Sequence, residues 1–557
     1  MKPFYRRRRY IIMGATLLVI LVAGLFANSI LANYVEKAIN EDFALVNKTD
    51  EYQMTVADVD VNIFGGSITI HDIQIRPTDS YRKLFENGET QEEVLKEMVV
   101  QRAALEGLAL YNFLFNKKLI IDRIAVSELH FNIIRPKDYV KVKSLDREKK
   151  SSFSLDSIFI PGIHQVDLNE MLIENYGMHT LNGSTQDTVG SYTGSEFKVT
   201  GFDMVESETN GFFHFDNSQI EVHLEQQRFN LNGGLYYMAF EQLHYALDED
   251  LIAIDGFEYA PIVSQQAVAD SLPFTTDVMD TYIKHLNIYG FKFRSAIVSG
   301  ALDVDLVDVD SLNINLFKDK RKPWDMDKKP KLPHQSLKEL KQPLHIDSVR
   351  LRNTQFVYTE RLPETDAPVR VTIDNIDAKL EYITSIKDSL ETDKPMALEM
   401  NADLLNSLPL QANLSMPYNK SQFRFWGTTS GATNFTKINP VVFPAIGIKF
   451  EGGTLDGISF DAWASNTHMD GNFILRYTDL EVEIFNKDAS KENKTVSWVA
   501  NSLAKRSNPN NRGKLSVAKI NQDRFMYKGI GNYLWKGIQS GVVNSVIPFG
   551  NRKKIKN

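Results

Sequence analysis

The dominant pattern along the chain is an alternation of apolar and polar residues with a period of two. It is clear in the segments VDVNI (59–63) and LDVDL (302–306), and it recurs along most of the chain after about residue 50. Because successive side chains of a strand point to opposite faces, this alternation predicts β-strands with one apolar and one polar face. The sequence therefore predicts a mainly β protein.

A second pattern interrupts the alternation. Two apolar residues of the alternating series are followed by two adjacent, usually polar residues. Two more apolar residues then follow, with the alternation displaced by one position. The segments LIIDRIAV (119–126) and LHIDSVRL (344–351) are examples. In several units the first middle residue is aspartate, namely Asp122, Asp255, Asp310, Asp347 and Asp374. An extra residue in a strand forms a β-bulge, which lets the apolar side chains on both sides share a face and increases the twist. We therefore predict an elongated, strongly twisted antiparallel β-sheet with one apolar face.

Beyond the N-terminus, helical patterning appears in few places, among them two stretches of the chain. The first lies near residues 80–115, and the second is C-terminal, where apolar residues recur at every fourth position before Pro548. The second stretch also holds aromatic residues and ends in basic ones, which is typical of an interfacial membrane helix. The alternative is a helix packed on the β body or capping the edge of the sheet. The candidate membrane-interface residues are Ile530, Leu534, Trp535, Ile538 and Val542.

The N-terminus combines a basic segment with a long uncharged one. Residues 1–9 contain five basic side chains, no charged residue lies between Tyr10 and Val35, and residues 11–27 are apolar or small throughout. Such a run is long enough to span the ~30 Å core of a bilayer, and positive charges stay on the cytoplasmic side. We expect a single membrane anchor with an exported body. A cleaved signal peptide, with a small-residue site at 27–29, is the alternative.

These patterns and the polar breaks between them divide the chain. In order, we expect a cytoplasmic basic segment (1–9), a transmembrane anchor (10–32), an N-terminal β region (33–317) with a helical insertion near 80–115, a charged Pro-rich linker or loop (318–343), a C-terminal β region (344–485), a polar loop (486–519), and an amphipathic helix with a basic tail (520–557).

Composition and motifs exclude most enzyme chemistry. The chain has no cysteine, which removes disulfides, thiolate nucleophiles and Cys-ligated metal sites. Its eleven histidines form no HxH or HExxH motif, and no nucleophile elbow or P-loop is present. The body after residue 9 carries 58 basic against 71 acidic side chains, which argues against nucleic-acid binding. We predict no catalytic residue, no metal site and no cofactor.

Three segments resemble AsmA-like proteins of Gram-negative envelopes. The first joins the basic N-terminus, the membrane helix and a short helix (34–44) to the hairpin MTVADVDVNIFGGSITIHDIQI (54–75). The others are LHIDSVRLRNTQFVYTERLP (344–363) and residues 450–485 with the GNYLWKGIQSGVVNSVIP helix (531–548), which resemble a Bacteroidota branch of unknown function. The resemblance implies a hydrophobic β-groove, related to TamB and the chorein lipid-transfer proteins, anchored in the inner membrane and reaching into the periplasm. It also implies phospholipid transport toward the outer membrane.

The leading hypothesis is accordingly a non-enzymatic protein that binds or conducts phospholipids in a β-groove, with the membrane, phospholipid and other envelope proteins as partners. Residues around the predicted bulges would contact the lipid: Ile121, Ile124, Val126, Ile346, Val349 and Leu351. The alternative is a structural or assembly factor that recruits envelope proteins and fills the apolar face with its own side chains.

Overall fold

The computed structural model describes residues 51–546, except for 63–64, 91, 93, 137–163, 184, 186, 207–212, 216–219, 232–233, 364–367, 406–407 and 486–506, together with residues 552–556. The predicted basic segment (1–9), the anchor (10–32) and the short helix (34–44) lie outside the described residues. None of the helices in the described ranges has the length and hydropathy needed to cross a bilayer.

The fold is mainly β with mostly antiparallel strands, which confirms the predicted fold class at that level. Two compact units divide the chain between residues 254 and 255, within strand β11 (Leu251–Pro261). Unit 1 contains strands β1 (Tyr52–Thr55), β2 (Asp58–Asn62), β3 (Ser67–Pro77), β4 (Leu95–Glu106), β5 (Lys118–Arg135), β6 (Gln165–Asn182), β7 (Thr188–Glu206), β8 (Phe213–Phe215), β9 (Glu221–Leu231) and β10 (Tyr236–Ala246), with helices α1 (Asp79–Glu86) and α2 (Leu110–Asn116).

Unit 2 holds more strands and most of the helices. Its strands are β12 (Asp277–Tyr289), β13 (Leu302–Asp319), β14 (Leu344–Arg361), β15 (Val369–Thr384), β16 (Met396–Leu404), β17 (Leu408–Met416), β18 (Phe423–Thr429), β19 (Thr433–Asn434), β20 (Ile448–Ala464), β21 (His468–Ile484), β22 (Lys514–Asp523) and β23 (Arg552–Lys556). Its helices are α3 (Gln265–Ser271), α4 (Phe293–Ser299), α5 (Pro333–Lys338), α6 (Lys387–Leu390), a 3₁₀ helix (Phe435–Ile438), α7 (Asn439–Ile446) and α8 (Ile530–Val546).

Four consecutive strands of each unit follow the same plan. In unit 1, β4 and β5 pair antiparallel, β5 and β6 parallel, and β6 and β7 antiparallel. Strands β12 to β15 of unit 2 repeat this sequence of pairings, and a short helix joins the first two strands in both units. The chain therefore contains an internal structural repeat, which the sequence analysis did not detect.

One glycine in each repeat shows how closely the two plans correspond. Gly107 and Gly290 follow β4 and β12 with φ of 70° and 68°. A Cβ at either position would clash with an aspartate of the next strand, Asp122 and Asp305 respectively. Only glycine tolerates both the left-handed backbone and the close carboxylate.

In the long strands of unit 1, the alternation of apolar and polar residues is displaced at kinks and not at bulges. Asp72 in β3, Glu128 in β5, Asn175 in β6 and Gln226 in β9 have positive φ between 49° and 54°. The pairing register is the same before and after these positions, so no strand gains a residue relative to its neighbour. At Asp122, where a bulge was predicted, β5 also keeps its register with β6, so that prediction is wrong. Register shifts of the predicted kind do occur in β14 to β16 around Asp374.

The helical stretch predicted near 80–115 is interrupted by a strand. Helices α1 and α2 occupy its two ends, whereas Leu95–Glu106 forms β4, paired with β3 and β5. The helical prediction was wrong for this segment because Leu95 and Met98 also suit a strand, and pairing with two neighbours decides between the two.

The break at 318–343 is a folded loop of unit 2, not a connection between the two units. It contains α5, and its Trp324 ring lies 5.7 Å from Tyr527 in an edge-to-face arrangement. The polar loop predicted at 486–519 ends earlier than expected, because β22 begins at Lys514. Residues 552–556 of the predicted basic tail form β23, which pairs antiparallel with β22.

Candidate functional site

Two transverse rows of apolar residues cross the sheet of unit 1, and together we name them the apolar face. Directly paired residues of neighbouring strands lie on the same side of a sheet. The first row is Val59, Ile70, Ala103, Val126, Ile173, Phe197, Leu224 and Leu243. The second row is Val61, Ile68, Leu105, Ile124, Met171, Val199, Val222 and Tyr245. Every position in both rows is apolar from β2 to β10.

The apolar face is covered at one end and open toward the other. Ile68, Ile70 and Leu105 are fully buried, and α2 packs Leu110 and Phe113 against the cluster that they form. From β5 to β10, nine of the ten residues in the two rows are only half-buried, Tyr245 being the exception. At ~4.8 Å between strands, this half-buried part is on the order of 20 Å wide.

The structure brings the predicted lipid-contacting residues of β5 together. Ile121, Ile124 and Val126 belong to one hydrophobic cluster, although Ile121 and Ile124 are three residues apart in a strand. Ile121 is 2% exposed, whereas Ile124 and Val126 are half-buried on the apolar face.

The other three candidates lie on β14 of unit 2 and occupy the corresponding side of its sheet. Each is half-buried between apolar residues of the two neighbouring strands. Ile346 pairs with Val304 and Ile383, Val349 with Val307 and Leu380, and Leu351 with Val309 and Ala378. The structure thus groups each trio within its own unit.

The C-terminal helix packs on the sheet, as the second of the two interpretations expected. Its buried residues include Tyr533, Gly537 and Gly541, and α8 lies against β21 and β22. Four of the five interface candidates, Ile530, Leu534, Ile538 and Val542, are half-buried against the core of unit 2. Only Trp535, which is 41% exposed, remains on the surface.

A polar cluster lies beyond the kink at Asn175, next to the apolar face. Gln227 is 1% exposed and accepts hydrogen bonds from the hydroxyls of Tyr176 at 2.6 Å and Tyr192 at 2.7 Å. Its amide group donates to the carbonyl oxygens of Glu196 and Glu225. Burial raises the pKa of the Tyr176 hydroxyl above its usual value, so the hydroxyl stays protonated and acts as a donor. Buried polar groups are tolerated when they are bonded in this way.

The opposite side of the same strands carries ionisable residues that the sequence analysis missed. Glu170 pairs with Arg123 at 2.7 Å and with Lys198 at 3.3 Å. Further along, His223 and His244 face each other from β9 and β10. A search for motifs could not find this pair, because the two histidines are brought together only by strand pairing.

Unit 2 contains a polar cavity of about 470 Å³, which the sequence analysis did not predict. It lies between α5 and the turns that join β17 to β18 and β20 to β21, and His334, Lys338 and Lys420 are among its lining residues. His334 is buried, and burial lowers the pKa of its imidazole, an effect to which Lys338 adds. The cavity could hold a small polar or anionic group.

No family model matches the chain, and no curated protein is similar to it in sequence.

Proposed function

We propose that this protein is a non-enzymatic, membrane-anchored envelope protein that binds or conducts phospholipids along the apolar face of unit 1. The observation that supports this function is the half-buried part of the apolar face from β5 to β10. Apolar side chains left half in water gain stability when further apolar surface covers them. Acyl chains fit such a strip without specific polar contacts.

The polar side of the same sheet supports the same proposal. Arg123, Glu170 and Lys198 form ion pairs there, so this side can face water while the apolar side holds lipid. The resemblance to AsmA-like proteins adds a reason to place the body in the periplasm of a bacterial envelope, with residues 10–32 as the anchor in the inner membrane.

Neighbouring positions on β7 provide a test of lipid binding. Phe197 and Val199 lie on the apolar face, and Lys198 between them points to the polar side. We expect native mass spectrometry of the gently extracted full chain to show bound phospholipid, and Phe197→Asn and Val199→Asn to reduce the bound fraction several-fold. The matched control Lys198→Asn should leave it unchanged.

Hydrogen exchange of the β6 and β7 amides will show whether each variant keeps its fold. A parent protein free of lipid, or equal loss of lipid in Lys198→Asn and Phe197→Asn, would contradict the proposal. Transfer of a fluorescent phospholipid between two vesicle populations then distinguishes a conduit from a protein that only binds.

The predicted orientation can be tested because the chain has no cysteine. A single cysteine placed at Asp248, in the exposed turn after β10, should react with a membrane-impermeant maleimide in spheroplasts. Lys2→Cys should react only after lysis. The reverse labelling pattern would overturn the periplasmic location without affecting the lipid-binding proposal.

The closed packing of the C-terminal part of unit 2, from β16 to β22, gives the alternative function specific support. There the apolar side of the sheet is filled by the protein's own side chains and by α8, as a structural or assembly factor requires. Crosslinking that captures one defined envelope protein, from a preparation that carries no lipid, would favour this function over the first.

A further inference from the structure

Three metal-ligating side chains converge on the polar side of β9 and β10. Glu221 and His223 are two residues apart on β9 and so share a face, and His244 is the direct partner of His223 on β10. The Nε2 atom of His223 lies 3.2 Å from Glu221 Oε2, and that of His244 lies 3.8 Å from the same oxygen. One ligand atom from each of the three residues lies within 4.8 Å of the other two.

His244 supplies a second, independent observation. Its Nε2 atom is buried and has no hydrogen-bond partner among the described residues, since Glu221 Oε2 is beyond hydrogen-bond distance. A buried polar atom without a partner is unusual in a folded protein and calls for an explanation such as a bound ion. The nearby cation Lys198 is already paired with Glu170.

The distances suit a tetrahedral transition-metal ion. Two ligands at ~2.1 Å from a tetrahedral ion are roughly 3.4 Å apart, and the two separations from Glu221 Oε2 bracket this value. In the structure the imidazole rings of His223 and His244 are stacked, with centroids 4.3 Å apart and an angle of 13° between their planes. Both rings must therefore rotate out of this stacked arrangement before their nitrogens can point at one ion.

We propose that Glu221, His223 and His244 form a binding site for Zn²⁺ or a similar divalent transition metal. Two imidazoles and one carboxylate are a zinc ligand set that leaves a fourth position open for water or another ligand. Imidazole ligands disfavour Ca²⁺ and Mg²⁺, which prefer oxygen. Among the described residues, the site has no counterpart in the repeat of unit 2, where Lys379, Glu399 and Asn413 pair at the positions that Lys198, His223 and His244 occupy in unit 1.

The test uses the full chain without a polyhistidine tag, stripped of metal by a chelator and titrated with zinc chloride in competition with a chromophoric chelator. We expect one Zn²⁺ per chain, with excess Mg²⁺ unable to displace it. His223→Gln, His244→Gln and Glu221→Gln should each weaken binding by more than ~10-fold, since even changes around metal ligands cost that much.

The matched control is His285→Gln, which removes a half-exposed histidine that pairs with Asp255 at 2.6 Å but belongs to no group of three metal-ligating side chains within the described part of the chain. This variant should bind zinc as the parent does. A parent chain that binds no zinc, or zinc affinity that survives all three ligand substitutions, would overturn the proposal. Neither result bears on lipid binding, which involves the opposite side of the sheet.

Discussion

The apolar face of unit 1 and the C-terminal part of unit 2 use the same alternation of apolar and polar residues but bury it differently. From β5 to β10 the apolar rows stay half-buried. From β16 to β22 the corresponding side of the sheet forms a closed cluster, which we name the C-terminal core. It includes Phe423, Phe435, Phe450 and Phe473, each at most 1% exposed.

The difference comes from what covers the strands. In unit 2 the chain supplies a 3₁₀ helix and α8, whose buried glycines let the helix approach the strands closely. Gly537 packs on Met469 and Gly541 on Phe473. Among the described residues of unit 1, the helix packed on the main apolar cluster is α2, at its β2 to β5 end. Alternation thus determines which side of a sheet is apolar, while a covering helix determines whether that side is closed.

The largest predicted difference between the two regions concerns aromatic residues. Phe473→Ala should destabilise the C-terminal core by about 3–5 kcal/mol, because it removes a fully buried ring and leaves a cavity. Phe197→Ala on the apolar face should cost only about 1 kcal/mol, because its ring is already half in water. Hydrogen exchange of the β21 and β7 amides measures each loss in its own region. Equal losses would mean that the two regions are equally closed.

The next prediction tests the close approach of α8. A Cβ on Gly541 would lie 2.5 Å from Phe473 Cγ, so Gly541→Ala must displace the helix or the ring. We expect a loss of about 1–3 kcal/mol in the stability of the C-terminal core. Gly531→Ala is the control in the same helix, since a Cβ there meets nothing within 4 Å, and it should be neutral or stabilising by about 0.5–1 kcal/mol. Urea unfolding followed by Trp fluorescence measures both.

A smaller effect is predicted for the polar cluster next to the apolar face. Gln227→Leu removes the acceptor shared by two tyrosine hydroxyls and leaves them their contact with each other, at 3.2 Å. We expect a loss of about 1–2 kcal/mol, measured by thermal unfolding. Tyr192→Phe, which removes one hydroxyl and leaves Gln227 its other partner, should cost less. If Gln227→Leu is neutral, the cluster is not needed to hold the kinked strands together.

The sequence predicted which side of a strand is apolar more successfully than it predicted how the strand pairs with its neighbours. Alternation and the phase shift in LIIDRIAV were sufficient to place Ile121, Ile124 and Val126 on one side, because side-chain direction is a local property of the backbone. The mechanism of the shift was predicted incorrectly: β5 keeps the same register with β6 on both sides of Asp122, and whether a strand gains a residue depends on pairing, which the local sequence does not specify.

The candidate site shows the same division between local and long-range information. The pairing of His223 with His244, and the cavity beside His334, depend on contacts between segments that are distant in the chain. The sequence predicted that α8 is amphipathic, but its apolar side suited either a membrane or a sheet. Gly537 and Gly541 are the signal that favours a closely packed sheet, because small residues at a helix interface permit close approach.

The smallest predicted effect is a pH dependence at the edge of the C-terminal core. His468 begins β21, and its imidazole lies 2.6 Å from Asp523 and 3.0 Å from Asp470. Hydrogen bonding to Asp523, together with Asp470, raises the pKa of His468 above its usual value of 6.5. The folded protein therefore binds this proton more tightly than the unfolded chain does. The resulting stabilisation is fully present below about pH 6.5 and is lost as the pH rises through the raised pKa.

Because His468 is about one-third exposed and both carboxylates face water, its contribution should be under about 1 kcal/mol and should shrink in high salt. We expect His468→Gln to be less stable than the parent at pH 5.5 and equal to it at pH 9, measured by urea unfolding. Asp523→Asn, which removes the closer carboxylate, should reduce the pH dependence without abolishing it, since Asp470 remains. A difference between His468→Gln and the parent that stays constant with pH would show that His468 stabilises this edge by packing and not by charge.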